Sequence, residues 1–574
     1  MENEKLTTEV VEEKPKAKRG TKKASTEKES STSEVKTTKK CKSVDKEGVE
    51  KKPTTKAKSS SAKATVKDKV DVKAEPKKKT TKAKAKTEND KLVPLASDAK
   101  KVLFVVSESA PFIRTGGLGD VAAALPKALR EKGVDVRVIM PLYFDIPEAY
   151  RATMKYLGNV YVPLSWRMQY CGVFQVVYEG VTYYFVDNEQ YFKRSGIYGH
   201  YDDAERFAFF SRAVLECLPI MNFYPDIIHA HDWHTALTSV FLDVFYRNRD
   251  GYKNIKTIFT IHNIEFQGKY GEEVFADILG LPESKKSLVM YSGLVNFMKG
   301  AIECSNVVTT VSPTYMKEIL NPYYAYGLEN ILNQRKYKLK GIVNGIDTEL
   351  YNPLTDKSLK QNYDFSTIEL KEKNKENLLK MFGMEYTKDT PLIGMVTRLT
   401  EQKGIDLVVA RLEEIMNDNV KVIILGKGDY KYENKLIELE KRYPGKLKVI
   451  INFLADVANN IYAGADMFLM PSRFEPCGLS QMIAMRYGTV PIVRRTGGLN
   501  DTVAPFNPIE LTGDGFNFYS YNADDMLDAV KRAISTYHVK REWIMVVANA
   551  MMKDFSWSAS SEQYLATYEE MLKA

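Results

Sequence analysis

From Lys101 the chain alternates between short, wholly apolar runs and longer segments whose apolar positions recur every three or four residues. "KKVLFVVSESAPF" reads as a buried strand entering a loop, "GDVAAALPKALREKG" as a helix stopping at Gly133, and "VDVRVIMP" as the next buried strand. Strand, glycine-bearing loop, helix and strand make a βαβ unit with a parallel sheet. "PDIIHAHDWH" and "KTIFTIHN" are two more apolar runs that end in polar residues, where an open parallel sheet has its ligand crevice. A second round begins near Gly341. "PLIGMVTRLTEQKGIDLVVARLEEIM", "VKVIILGKGD", "ADMFLMPSRFEPCGLSQMIAMRYG" and "TVPIVRRTGGLNDTV" repeat the order strand, loop, helix.

The pattern predicts an α/β protein with two tandem Rossmann-like, doubly wound domains and an active site in the cleft between them. Residues 99–338 form the first and 339–555 the second. "SWSASSEQYLATYEEMLKA", over 556–574, has the spacing of an amphipathic helix.

Composition changes the picture only at the N-terminus. Residues 1–100 hold 29 of the 83 Lys and Arg but 17 of the 74 Asp and Glu, so the body of the chain is close to neutral. With no aromatic residue before Phe104, residues 1–98 are expected to be a disordered, solvated basic tail. Its lysine runs would suit an acidic partner, nucleic acid or an anionic membrane. "MENEK" lacks the apolar core of a secretory signal, and the many acids fit poorly with a transit peptide. No membrane span is expected. Five scattered cysteines without a CxxC pair suit a reducing cytoplasm.

One quartet occurs twice. "IRTGGLGD" carries Arg114, Gly116 and Gly117; "RRTGGLND" carries Arg494, Arg495, Thr496 and Gly497. Neither fits GxGxxG, and no P-loop is present. Adjacent glycines before a helix still let backbone amides approach an anion; the plain alternative is a tight turn. In "TRLTEQKG", Arg398 and Lys403 flank a helix start with Thr400 as its N-cap, and two cations there would stabilise a diphosphate leaving group. Five of six histidines fall between His200 and His262, with His229, His231, His234 and Asp232 in "HAHDWH". No Cys or compact carboxylate set completes a metal sphere, so hydrogen bonding to a polyhydroxylated substrate is the better use of these imidazoles. In "PSRFEPCGLSQ", Glu475 would accept from sugar hydroxyls while amides of Cys477, Gly478, Leu479 and Ser480 donate to phosphate. Alternatively, Glu475 only favours a helix start.

As an ordered set, "SESAPFIRTGGLGDV", "AERFAFFSRA", "PDIIHAHDWH", "TIHNIEFQG", "VVTTVSPTY", "VNGID", "TRLTEQKG", "PSRFEPCGL" and "VRRTGGLNDTV" resemble the bacterial glycogen synthase and plant starch synthase family, of the GT-B glycosyltransferase fold. The resemblance spans Lys101 to the C-terminus and adds a glucan granule to the tail's candidate partners. It implies transfer of glucose from ADP-glucose or UDP-glucose to the non-reducing end of an α-1,4-glucan, with retention, no cofactor and no catalytic metal. It implies that Arg398 and Lys403 hold the diphosphate, that Asp232 and His262 surround the transferred glucose, and that Glu475 contacts its hydroxyls. It also implies that the first TGGL loop closes over the donor and that the C-terminal helix crosses back to the first domain. Two positions are notable. Arg114 stands where the family usually has lysine, which leaves the nucleotide preference open. Ile483 stands where many relatives of the fold have a second carboxylate. A sucrose-, trehalose- or envelope-glycan transferase of the same fold, and a non-catalytic granule or nucleic-acid binder, are the competing readings.

Overall fold

The computed structural model describes residues 94–452 and 454–573. The basic N-terminal segment up to residue 93, and with it the disorder and the acidic or granule partner expected of it, lies outside the described residues.

Strands β1 (Lys101–Val105), β2 (Asp135–Pro141), β3 (Lys155–Leu164), β4 (Arg167–Tyr178), β5 (Val181–Asp187), β6 (Ile227–His231) and β7 (Lys256–Ile261) belong to one sheet. A small antiparallel sheet of β8 (Lys269–Tyr270), β9 (Met290–Tyr291) and β10 (Leu294–Asn296) follows, and β11 (Val307–Thr310) and β12 (Leu339–Gly341) return to the first. Its order is β12-β11-β7-β6-β1-β2-β5-β4-β3. Every pairing from β12 to β5 is parallel, and β4 and β3 add an antiparallel edge. The second sheet comprises β13 (Leu392–Val396), β14 (Lys421–Gly426), β15 (Leu447–Ile451), β16 (Met467–Met470), β17 (Val490–Arg494) and β18 (Phe516–Phe518). It is wholly parallel in the order β15-β14-β13-β16-β17-β18.

Central strands of a parallel sheet covered by helices on both faces must be apolar on both sides, which is why they read as unbroken hydrophobic runs. β6 and β13 are buried along their whole length. The edge strand β3 instead alternates exposed and buried positions towards its end, and the pattern of buried runs gave no sign of this hairpin. Helix Gly117–Glu131 turns Leu118, Val121, Ala122, Leu125 and Leu129 onto the first sheet. Truncating the fully buried Leu125 to alanine would cost about 2–5 kcal/mol.

The strand order reverses at β1/β6 in the first sheet and at β13/β16 in the second, so each has a crevice beyond the carboxyl ends of those strands. The last helix, Trp557–Lys573, is packed into the first core through Trp557, Tyr564, Tyr568 and Met571. Lys132–Glu562 and Lys100–Glu569 ion pairs, at 3.0 and 3.2 Å, fasten its rim.

Candidate functional site

The end of β6 is a stack of histidines. His229 and His231, two apart on a strand, share a side; their rings lie 4.1 Å apart, and Phe104 of β1 packs on both. Both nitrogens of His229 are taken by hydroxyls, Nδ1 by Tyr568 at 2.8 Å and Nε2 by Thr260 at 2.6 Å. His231 Nδ1 is 3.0 Å from His262 Nε2, so one donates and the other accepts. Burial pushes His262 down to about 3 and His231 well below the usual histidine range, which keeps both rings neutral. His234 leaves this line and stacks on Tyr198. Among the described residues no three or more His, Cys, Asp or Glu are grouped to hold a metal ion.

Directly after β6 the backbone of Asp232 takes φ 57°, ψ 175°, a region that side-chain-bearing residues rarely occupy. Its carboxylate accepts the His262 N–H at 2.8 Å and the Asn263 N–H at 3.4 Å. The ends of β6 and β7 are thereby joined, with Asp232 and His262 side by side. Burial raises the Asp232 carboxyl to about 7 despite those two amides.

Beyond β1, Glu108 is buried and accepts from both the backbone N–H and the hydroxyl of Thr115, the latter at 2.8 Å. This acid pins the first TGGL turn from beneath. Nothing in its local sequence marks it, because its partner is seven residues away. Arg114 bonds the Asp120 carboxylate and the Tyr351 hydroxyl. Gly117 opens the helix facing the other half, where a Cβ would stand 3.5 Å from Leu479 Cδ1.

In the second half, Lys403 Nζ lies 2.6 Å from Glu475 Oε2, which also accepts from Ser472 Oγ at 2.9 Å. Arg398, exposed beside β13, touches Gln402 Oε1 at 3.3 Å. Thr400 occupies the N-cap position, yet its hydroxyl is buried and makes no cap bond. Gln481 donates to the carbonyls of Cys477 and Gly478 at 3.2 and 3.0 Å, which fixes the turn into helix Ser480–Arg486.

The second TGGL is not the counterpart of the first. It follows β17, the fifth strand of its sheet, whereas the first follows β1; the loop corresponding to the first is "TRLTEQKG" after β13. Arg494 spends its guanidinium on the carbonyls of Ser472, Arg473 and Tyr519, and Arg495 on Asn500 and Tyr519. Thr496 Oγ1 and the Gly497 N–H bond Glu318, from the first half, at 2.9 and 3.0 Å. The glycines lie against the Glu475 loop: Gly498 N–H donates to the Glu475 carbonyl at 3.1 Å. The structure thus joins Asp232 with His262, Lys403 with Glu475, and Gly117 with Leu479, and puts Thr496 and Gly497 behind the Glu475 loop.

Residues 101–334 match the starch synthase catalytic domain family and residues 380–545 the glycosyl transferases group 1 family. The chain is 50% identical over 474 residues to the glycogen synthase of Anoxybacillus flavithermus, covering 82% of this chain and 98% of that protein. It is 49% identical over 475 residues to the glycogen synthase of Geobacillus stearothermophilus, covering 82% and 98%. Among solved structures it is similar to the catalytic domain of starch synthase IV from Arabidopsis thaliana bound to ADP and acarbose. That similarity has a TM-score of 0.77 at 34% identity, over 83% of this chain and 100% of that one. Sucrose-phosphate synthase from Thermosynechococcus elongatus, at TM-score 0.53 and 16% identity over 83% and 99%, shares the fold. With two Rossmann-like halves and these relatives along nearly their whole length, the chain belongs to the glycogen and starch synthase family of GT-B glucosyltransferases.

Proposed function

We propose that this chain extends an α-1,4-glucan by taking glucose from ADP-glucose, or from UDP-glucose, with retention at C1. The observation that carries this reading is the pairing of the two strand-order reversals. Beyond β13 and β16 stand Arg398, Lys403 and Glu475; beyond β1 and β6 stand the first TGGL turn, Asp232 and His262, with Gly117 against Leu479.

In this reading Arg398 and Lys403 face the diphosphate and stabilise the charge that builds as the C1–O bond breaks. Arginine gives a planar double contact and lysine a point charge. Glu475, held by Ser472, accepts from the glucose hydroxyls, and the amides of Gly478, Leu479 and Ser480 meet glucose and phosphate. Asp232 and the neutral His262 line the other side of the sugar. The acceptor hydroxyl attacks C1 from the face the diphosphate leaves and passes its proton to a phosphate oxygen. A closed cleft limits attack by water. Arg114, Gly116 and Gly117 complete the donor surroundings, while Thr496 and Gly497 back the Glu475 loop. Among the described residues no helix is long and apolar enough to cross a membrane; the cytoplasm is the compartment we propose.

The test is to incubate the full chain with glycogen and labelled ADP-glucose or UDP-glucose, then digest with amylase. Label in amylase-sensitive polymer is expected, and the ratio between donors gives the preference. Label that resists amylase, or no polymer from either donor, would reject the reading.

A further inference from the structure

The helices Pro313–Glu318 and Gly497–Thr502, one from each half, cap each other with carboxylates. Glu318 accepts from the Gly497 N–H at 3.0 Å and from Thr496 Oγ1 at 2.9 Å, at the start of the second helix. Asp501 accepts from the Ser312 hydroxyl, from the Thr314 N–H at 3.0 Å and from Thr314 Oγ1 at 2.5 Å, at the start of the first. Asn500 Nδ2 adds a bond to Thr314 Oγ1 at 2.9 Å. Each acid therefore satisfies amides that a helix start leaves without partners, and the two acids are kept at opposite ends of the pair.

Both helices are also tied to the reacting groups. Tyr315, inside the first, accepts the Ile264 N–H at 3.2 Å, two residues beyond His262. Gly498, inside the second, donates to the Glu475 carbonyl at 3.1 Å. The pair is thus a short covalent and hydrogen-bonded bridge from the Asp232–His262 corner to the Glu475–Lys403 corner.

We propose that Glu318 and Asp501 are positioning residues: their reciprocal caps latch the two halves together and set where Glu475 stands relative to Asp232 and His262. The proposal rests on the reading that these four residues surround the donor sugar. Misplacing a reacting group by about 1 Å costs roughly 100-fold in rate, so the latch acts on turnover rather than on nucleotide affinity, which the second half supplies.

The experiment compares Glu318→Ala, Glu318→Gln and Asp501→Asn with the wild type in kcat, donor KM, ADP affinity and small-angle scattering. Glu318→Ala and Asp501→Asn are expected to lower kcat roughly 10- to 100-fold. ADP affinity should stay within about threefold, with a more open scattering profile. Glu318→Gln keeps the single oxygen that takes both the Thr496 and Gly497 bonds and should recover most of the kcat. Asp501 instead uses both of its oxygens, and Asp501→Asn loses one of them. A kcat within about twofold of wild type in both Glu318→Ala and Asp501→Asn would overturn the latch. So would a loss of ADP binding that matches the loss of kcat, because that marks a collapsed Glu475 loop. Should the wild type make no glucan, the scattering profiles still decide whether the caps hold the two halves together.

Discussion

Lys403 and Glu475 form an ion pair at 2.6 Å, with side chains only 15% and 8% exposed, although 72 residues separate them in sequence. Each charge is the other's compensation. Removing one leaves the other nearly buried, with Ser472 Oγ as the remaining partner of the carboxylate.

Lys403→Ala is therefore expected to lower stability by about 3 kcal/mol, and kcat by about 100- to 1,000-fold. Adding Glu475→Gln should return part of the stability and none of the activity. Thermal melts and initial rates of the two variants check this; a lowered melt with near-normal turnover would show that the pair is only structural.

The Asp232 carboxyl gives a pH signature. Its ordinary value is 3.8, and burial raises it to about 7. Between those values the folded protein holds a proton that the unfolded chain has lost, so this group's contribution to stability falls as pH rises. His229, His231, His234 and His262, all held low by burial, act the other way below the ordinary 6.5. They are common to both proteins when wild type is compared with Asp232→Asn. The melting temperature of Asp232→Asn relative to wild type should accordingly climb between about pH 4 and about pH 7. A flat or falling difference would mean that the carboxyl is ionised in the fold throughout.

Much of this site was legible in the sequence because parallel sheets put chemistry at strand ends. "LIGMV" is an unbroken apolar run with polar residues following at once, and "IIHAH" opens apolar and carries its two histidines at the strand's end. The β3–β4 hairpin was not legible: an edge carries no continuous apolar run, and it brings no motif. Glu108, Glu318 and Asp501 were missed for a different reason. Their roles exist only through partners such as Gly497, 179 residues from Glu318, and no local spacing encodes that. The repeated TGGL misleads in the same way, since one quartet serves two different places in the two sheets.

Tyr568 tests how far the last helix reaches. Tyr568→Phe removes the hydroxyl 2.8 Å from His229 Nδ1 and leaves that buried nitrogen without a partner, at a cost of about 1–3 kcal/mol. Thr260 still holds Nε2, and His262 is engaged by His231 rather than by His229. A lower melting temperature with kcat within about threefold of wild type is the expected result. A collapse of kcat at an unchanged melting temperature would place the C-terminal helix in the chemistry.

The two TGGL turns separate by alanine substitution. A Cβ on Gly497 would fall 1.9 Å from the Glu475 carbonyl oxygen, and one on Gly498 2.1 Å from that of Cys477, both rigid backbone. Gly497 also has φ +45°, where a side chain is strained. At Gly116 the nearest atom is 3.9 Å away, and at Gly117 3.5 Å, which is ordinary contact. Gly497→Ala and Gly498→Ala should thus displace the Glu475 loop and lower the melting temperature along with kcat. Gly116→Ala and Gly117→Ala should stay within about 1 kcal/mol of wild type in stability, so a fall in their kcat/KM reports crowding of the donor. Were Gly498→Ala to melt like wild type while losing only donor affinity, the second turn would be a ligand surface and its packing on Glu475 incidental.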